Sequence, residues 1–190
     1  MTSNTYKMSR GFTLIEVMVS VAILALMAAV TIVSMNGGRN RQEVEASTRL
    51  VAATLREAQN NALSGKNITG TAGSRPCQFR VRTTGGTGTI THEQLNAGDV
   101  LCPNPGTATN GAWSGFSTDL LNGVTFSSST EVYFDVPRGE PKNAAGVLGV
   151  ELNSATGPVD FSMTKGADTA HVCVYPLGRI EEASVGASCP

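Results

Sequence analysis

The residue that most constrains the chemistry of this chain is Glu16. It lies near the start of an almost unbroken apolar run, Phe12 to Met35, reading FTLIEVMVSVAILALMAAVTIVSM. A carboxylate in such a segment is costly and is usually there for a function. A position near a helix N-terminus lowers that cost through the dipole but leaves the acid without a named partner. The second set of reactive groups is the four cysteines, Cys77, Cys102, Cys173 and Cys189, none of them in a C-x-x-C spacing. An even count without that spacing reads as disulfides rather than zinc, and so as an oxidising compartment. Three pairings are open. The local one, Cys77–Cys102 with Cys173–Cys189, is the expected one, because its second bridge staples the tail onto the last strand. Arg75, Arg80 and Arg82 form a potential basic strip that solvated strand positions also explain. His171 and Cys173 fall on one face of a strand, where ordinary packing is expected rather than a redox or metal pair. Thr84-Gly85-Gly86-Thr87-Gly88 lacks the Lys-Ser/Thr ending of a phosphate loop and reads as a hairpin turn. There is no G-x-S-x-G elbow, no H-E-x-x-H, and no cysteine with a histidine and acid at recognisable spacing. The chain therefore reads as no enzyme, with no metal site and no cofactor.

The elements that position these groups follow from pattern. Phe12–Met35 contains no proline and is rich in Leu, Met and Ala. As a helix it would extend about 36 Å, enough for a bilayer core. A cleaved secretory signal would fit the basic residues Lys7 and Arg10 ahead of it and the small residues Ala25, Ala28 and Ala29. The run is longer than such signals use, however, and a plain anchor leaves Glu16 unexplained. Asn36-Gly37-Gly38 interrupts the apolar run. From about Arg41 a stripe of Val44, Thr48, Val51, Leu55, Ala58 and Ala62 recurs at helical spacing, ending at Ser64-Gly65. This stripe is expected to pack on the domain that follows. Twenty-one glycines and only 5% aromatic residues suit a loop-rich β domain. Short alternating segments appear at Cys77–Arg82, Val124–Phe126, Val132–Val136, Val147–Leu152, Val159–Met163 and His171–Tyr175, and Asn104–Ser117 reads as a long loop holding Trp113. A net charge of −1 with 15% charged residues excludes a general polyanion binder.

The stretch Arg10-Gly11-Phe12-Thr13-Leu14-Ile15-Glu16 resembles the prepilin processing motif of type IV pilins and pseudopilins. The resemblance implies that a prepilin peptidase cuts between Gly11 and Phe12 and methylates the new amine of Phe12. Glu16 is then the fifth mature residue and pairs with that amine, its own or a neighbour's, fixing subunit register in a filament. The organisation implied is a leader at 1–11, a transmembrane and filament-core helix at 12–36, an amphipathic second half at 37–65, and a periplasmic β-rich domain at 66–190. Its basic leader stays cytoplasmic and its cysteines lie in the periplasm. The protein is thus expected in the inner membrane by one span, and then in a pilus at the cell surface.

Val132–Gly139 (VYFDVPRG) and Val172–Ile180 (VCVYPLGRI) are similar to segments of the FimT/FimU/GspH group of minor pilins and minor pseudopilins. The fold this implies is α+β: a long N-terminal helix whose second half lies on a domain of two antiparallel sheets. The function implied is that of a structural minor pilin, near the tip of a type IV pilus and helping start its assembly. Its partners would be other pilins, the prepilin peptidase and the inner membrane. Two alternatives remain: a minor pseudopilin of type II secretion and a DNA receptor for natural transformation. FimT-type members bind DNA through a C-terminal Gly-Arg-x-Arg, and this chain has Gly178-Arg179-Ile180-Glu181 followed by Glu182. A carboxylate in place of the second arginine repels phosphate, so DNA contact by Arg179, Arg80 and Arg82 is not favoured.

Overall fold

The structure, a computed structural model, describes residues 12–70, 75–96, 113–143, 150–152 and 157–190. At positions 30–37, 143, 150 and 151 the description is of the backbone only. The contacts divide the chain into two compact units, Met1–Arg39 and Asn40–Pro190.

Helical geometry runs over α1, Leu14–Ser64. Asn36-Gly37-Gly38 interrupts the apolar pattern but not the helical backbone. Helix propensity of glycine is only about 1 kcal/mol below that of alanine, so neighbouring turns carry it. The helix stops where the sequence places Ser64-Gly65. Gly65 takes φ +62°, its N–H donates to Ala62 O at 3.4 Å, and the Lys66 N–H donates to Asn61 O at 3.1 Å. Those two bonds are a Schellman motif, which satisfies the last free carbonyls.

Among the described residues of the second unit, ten strands follow α1. A six-stranded antiparallel sheet runs β3-β2-β1-β5-β6-β7, with β1 Pro76–Thr83, β2 Thr89–Asn96, β3 Trp113–Asp119, β5 Glu131–Asp135, β6 Pro141–Asn143 and β7 Val150–Glu151. A four-stranded antiparallel sheet runs β10-β9-β8-β4, with β4 Thr125–Phe126, β8 Val159–Lys165, β9 Asp168–Val174 and β10 Ile180–Ala183. One core joins the helix stripe to both sheets. Val44, Val51, Leu55, Ala58 and Ala62 are buried with Phe79, Val81, Val132 and Phe134 of the larger sheet and Phe161, Met163, Val172 and Val174 of the smaller. Thr48, the polar member of the stripe, is also buried and donates its hydroxyl to Val44 O at 2.8 Å. The long helix with two antiparallel sheets is the α+β architecture expected.

Side chains then tie this part of α1 to the strands. Lys165 bonds Glu43 and the carbonyl of Asn122, and the Asn122 amide donates to Glu43 at 3.2 Å. Arg56 bonds Glu182 at 3.1 Å and Ile180 O at 3.4 Å. Because β10 is the edge of its sheet, Arg56 also occupies a carbonyl that another strand would otherwise pair with.

The segment expected as a loop at Asn104–Ser117 is corrected in its last part: Trp113–Ser117 belongs to strand β3, while 104–112 lie outside the described residues. Trp-Ser-Gly-Phe-Ser reads as loop because of its small polar residues. A strand needs only backbone donors and acceptors, and β2 supplies their partners from Leu95↔Trp113 to Thr89↔Asp119. A Cβ on Gly115 would collide with the backbone of His92, so the glycine is what admits the close approach. Strand β7 matches only the end of the expected Val147–Leu152 segment, 147–149 being outside the described residues.

Candidate assembly site

At the N-terminal site, Phe12 is the first described residue and is 81% exposed; Gly11 lies outside the described residues. The chain enters α1 through Thr13. Its hydroxyl accepts from the Glu16 N–H at 3.4 Å, and its carbonyl accepts from Glu16 N at 3.1 Å and Val17 N at 3.3 Å. Thr13-Leu14-Ile15-Glu16 is therefore half of a capping box, with Thr13 at the cap and Glu16 as the third helical residue. The carboxylate is placed beside the free N–H groups of the first turn, where negative charge is favoured. Glu16 is exposed in the single chain.

Around it, eleven large apolar side chains from Phe12 to Met27 are between 49% and 81% exposed: Phe12, Leu14, Ile15, Val17, Met18, Val19, Val21, Ile23, Leu24, Leu26 and Met27. Moving these from water into an apolar setting is worth on the order of 10–20 kcal/mol. So large a contiguous apolar surface marks a site of association with membrane or protein. Among the described residues no helix is long and apolar enough to cross a membrane. The expected span, 12–36, counts residues 30–36 as well, whose side chains fall outside the description.

The three arginines named for DNA contact are all engaged within the chain. Arg80 donates from Nε and Nη2 to Glu93 Oε2 at 2.9 and 2.7 Å, and its guanidinium lies 4.3 Å from the ring centre of Trp113. Burial pulls its pKa down, but hydrogen bonds to Glu93 and Tyr133 outweigh this and leave it raised. Arg82 Nε reaches the same Glu93 oxygen at 3.1 Å. Arg179 pairs with Glu181 at 3.1 Å and stacks 4.1 Å over Tyr175, while Glu182 is taken by Arg56. Arg75 is exposed ahead of β1. Glu93 was missed on the sequence, yet its signal was available. Folding the chain about the turn at 84–88 sets Arg80 opposite Glu93.

Cys173 and Cys189 are joined, with Cα atoms 5.8 Å apart. Cys77 is disulfide-bonded, and Cys102 lies outside the described residues. With Cys173 committed to a disulfide, His171 turns instead to Asp160, its Nδ1 at 2.9 Å from both carboxylate oxygens. Among the described residues no group of three or more His, Cys, Asp or Glu is placed to hold a metal ion.

Comparison with known proteins matches residues 6–32 to the prokaryotic N-terminal methylation motif. No curated protein sequence matches the chain. Among solved structures it is similar to the minor pseudopilin EpsH from the type 2 secretion system of Vibrio cholerae, at 16% identity and a TM-score of 0.44, covering 75% of this chain and 97% of that one. The chain thus carries a prokaryotic N-terminal methylation motif at the head of a long helix that is followed by two antiparallel sheets.

Proposed function

We propose that this chain is a structural minor pilin of a type IV pilus, working in the tip or priming complex after a prepilin peptidase removes residues 1–11. The observation that carries the reading is the methylation motif over residues 6–32, with Glu16 in the first turn of an exposed apolar helix. Cleavage between Gly11 and Phe12 creates an amine beside the capped first turn. Once the apolar side chains leave water, Glu16 becomes a buried carboxylate. An unpaired buried charge is strongly penalised, so a methylated Phe12 amine, in the same or a neighbouring subunit, fixes where the helix sits along the filament.

The segment at 12–36 then serves as the inner-membrane anchor before assembly and as filament core afterwards. The 37–65 half of the helix carries the periplasmic domain at 66–190. What favours a pilus over a type II secretion pseudopilus is the disulfide stapling of the tail, which suits a subunit exposed outside the cell. DNA capture gains no support from the arginines, because Arg80 and Arg82 share Glu93 and Arg179 is held by Glu181.

The test is made in the host. Mass spectrometry of the native protein is expected to find a chain beginning at methylated Phe12. Glu16→Ala is expected to leave processing intact while surface pili and twitching fall in a strain carrying only that copy. A mature chain that keeps residues 1–11, or a Glu16→Ala strain with normal pili, refutes the proposal. Loss of protein secretion with normal pili moves the protein to the pseudopilus.

A further inference from the structure

Three polar side chains are withdrawn from water together on the larger sheet. In the register of β1 with β5, Gln78 stands opposite Asp135, and in that of β5 with β6, Lys142 stands opposite Tyr133. All three lie on the face away from Phe79 and Phe134, which belong to the core. Gln78 is 6% exposed and Lys142 9%, and lysine is among the residues least often buried. The Asp135 side chain is 20% exposed.

One carboxylate bridges the other two groups. Gln78 Nε2 donates to Asp135 Oδ1 at 2.7 Å, and Lys142 Nζ donates to Asp135 Oδ2. As a structural device alone this is poor value, because desolvating an ion pair often cancels what its attraction returns. As chemistry the set is complete: an amine, a proton carrier touching it, and a carboxamide on the carrier's other oxygen. A lysine amine becomes a nucleophile once its proton is taken. Holding it beside the amide replaces a bimolecular encounter, and burial keeps out water, the competing nucleophile. Lys165, Glu43 and Asn122 are linked in a similar way, but Asn122 is exposed, so water reaches its amide.

We propose that Lys142 and Gln78 become joined within the chain by an isopeptide bond, with Asp135 carrying the protons. Asp135 takes a proton from the Lys142 ammonium, and the freed lone pair of Nζ adds to Cδ of Gln78. Two protons in all pass from Nζ to Nε2 by way of Asp135, the Cδ–Nε2 bond breaks, and Nε2 leaves as ammonium. Nζ keeps one hydrogen in the new amide, and Asp135 ends as the carboxylate it began as. Charge and atoms balance with no oxidant, reductant or added reactant. The bond ties β1 to β6 across β5, and it does not depend on the filament reading above.

The test is mass spectrometry of the full chain, purified in detergent and with its disulfides reduced. The wild type is expected to be lighter by one ammonia than its sequence and N-terminal processing require. Digestion is expected to release the peptide of Gln78 joined to that of Lys142. Asp135→Asn, folded as judged by circular dichroism, and Lys142→Met are expected to carry the full mass and to release the two peptides separately. A wild type with full mass and separate peptides overturns the proposal. So does a chain in which Gln78 has become glutamate, since water and not Lys142 then reaches Cδ. Loss of ammonia that maps to another site, such as Asn122, overturns it too. Joined peptides in Asp135→Asn overturn the proton transfer through Asp135.

Discussion

Replacing Glu93 by alanine tests whether one carboxylate neutralises two arginines on the larger sheet. Glu93 and Arg80 are largely withdrawn from water, with side chains 12% and 16% exposed. Breaking a buried ion pair from one side costs about 3–5 kcal/mol, because the remaining charge stays buried without compensation. Arg80 keeps a hydrogen bond to Tyr133 and the face of Trp113. Arg82, about half exposed, can turn to solvent and adds little. The expected loss is therefore about 2–3 kcal/mol, below the full penalty for a buried charge. For a chain of this size that is a fall in Tm of about 5–10 °C. Trp113 is the only tryptophan, so its fluorescence reports both unfolding and the loss of ordered contact with Arg80. In a double-mutant cycle with Arg80→Ala, the coupling is expected to be about 2 kcal/mol. A coupling within 0.5 kcal/mol of zero, roughly the ordinary error of additivity, would refute the buried-pair argument.

Two further outcomes follow from the same domain. His92 is buried between Phe79 and Phe116, neither ring nitrogen has a hydrogen-bond partner among the described residues, and burial lowers its pKa against a smaller opposing pull from Glu57. The folded state thus holds the neutral ring, while the unfolded chain takes up a proton near its ordinary value of about 6.5. Stability from this group is fully present above that pH and falls as pH drops through it, by at most about 1.4 kcal/mol per unit. Denaturant titrations at pH 7.5 and 5.5 should show a fall that His92→Phe reduces; an undiminished fall in the variant assigns it elsewhere. Converting Cys173 and Cys189 to serine together is expected to cost about 3 kcal/mol, the chain-entropy value for a loop of this length. Equal denaturation midpoints for the variant and the oxidised wild type would contradict that.

Much of the fold was legible where side-chain period and solvent exposure agree. The stripe from Val44 to Ala62 is buried at every named position because helical spacing and core contact coincide. Strand β5 alternates for the same reason, as does β8 from Val159 to Thr164. Strand β2 did not stand out, since it turns His92 and Gln94 inward, polar residues that hide the pattern. Gln94 is buried because its amide bonds Ile68 N, Asn67 and Thr69 in the connection after α1, a set of partners no local pattern reveals. Strand β10 was hidden by two adjacent glutamates; one of them, Glu182, is drawn to Arg56 from a helix far away in sequence.

What the sequence determined by itself is the N-terminal motif. Motif, apolar run and Glu16 are contiguous, so the setting of that carboxylate is legible from its neighbours along the chain. The state of the arginines was decided only in three dimensions. Charge counting sees Arg80, Arg82 and Arg179 as free cations, but strand pairing delivers Glu93 to the first two, and the last turn sets Arg179 against Tyr175 and Glu181. A Coulomb interaction depends on distance in space and on exclusion of water, and sequence separation specifies neither. The same holds for Lys142, an ordinary residue in the sequence whose burial beside Asp135 and Gln78 appears only once three strands pair.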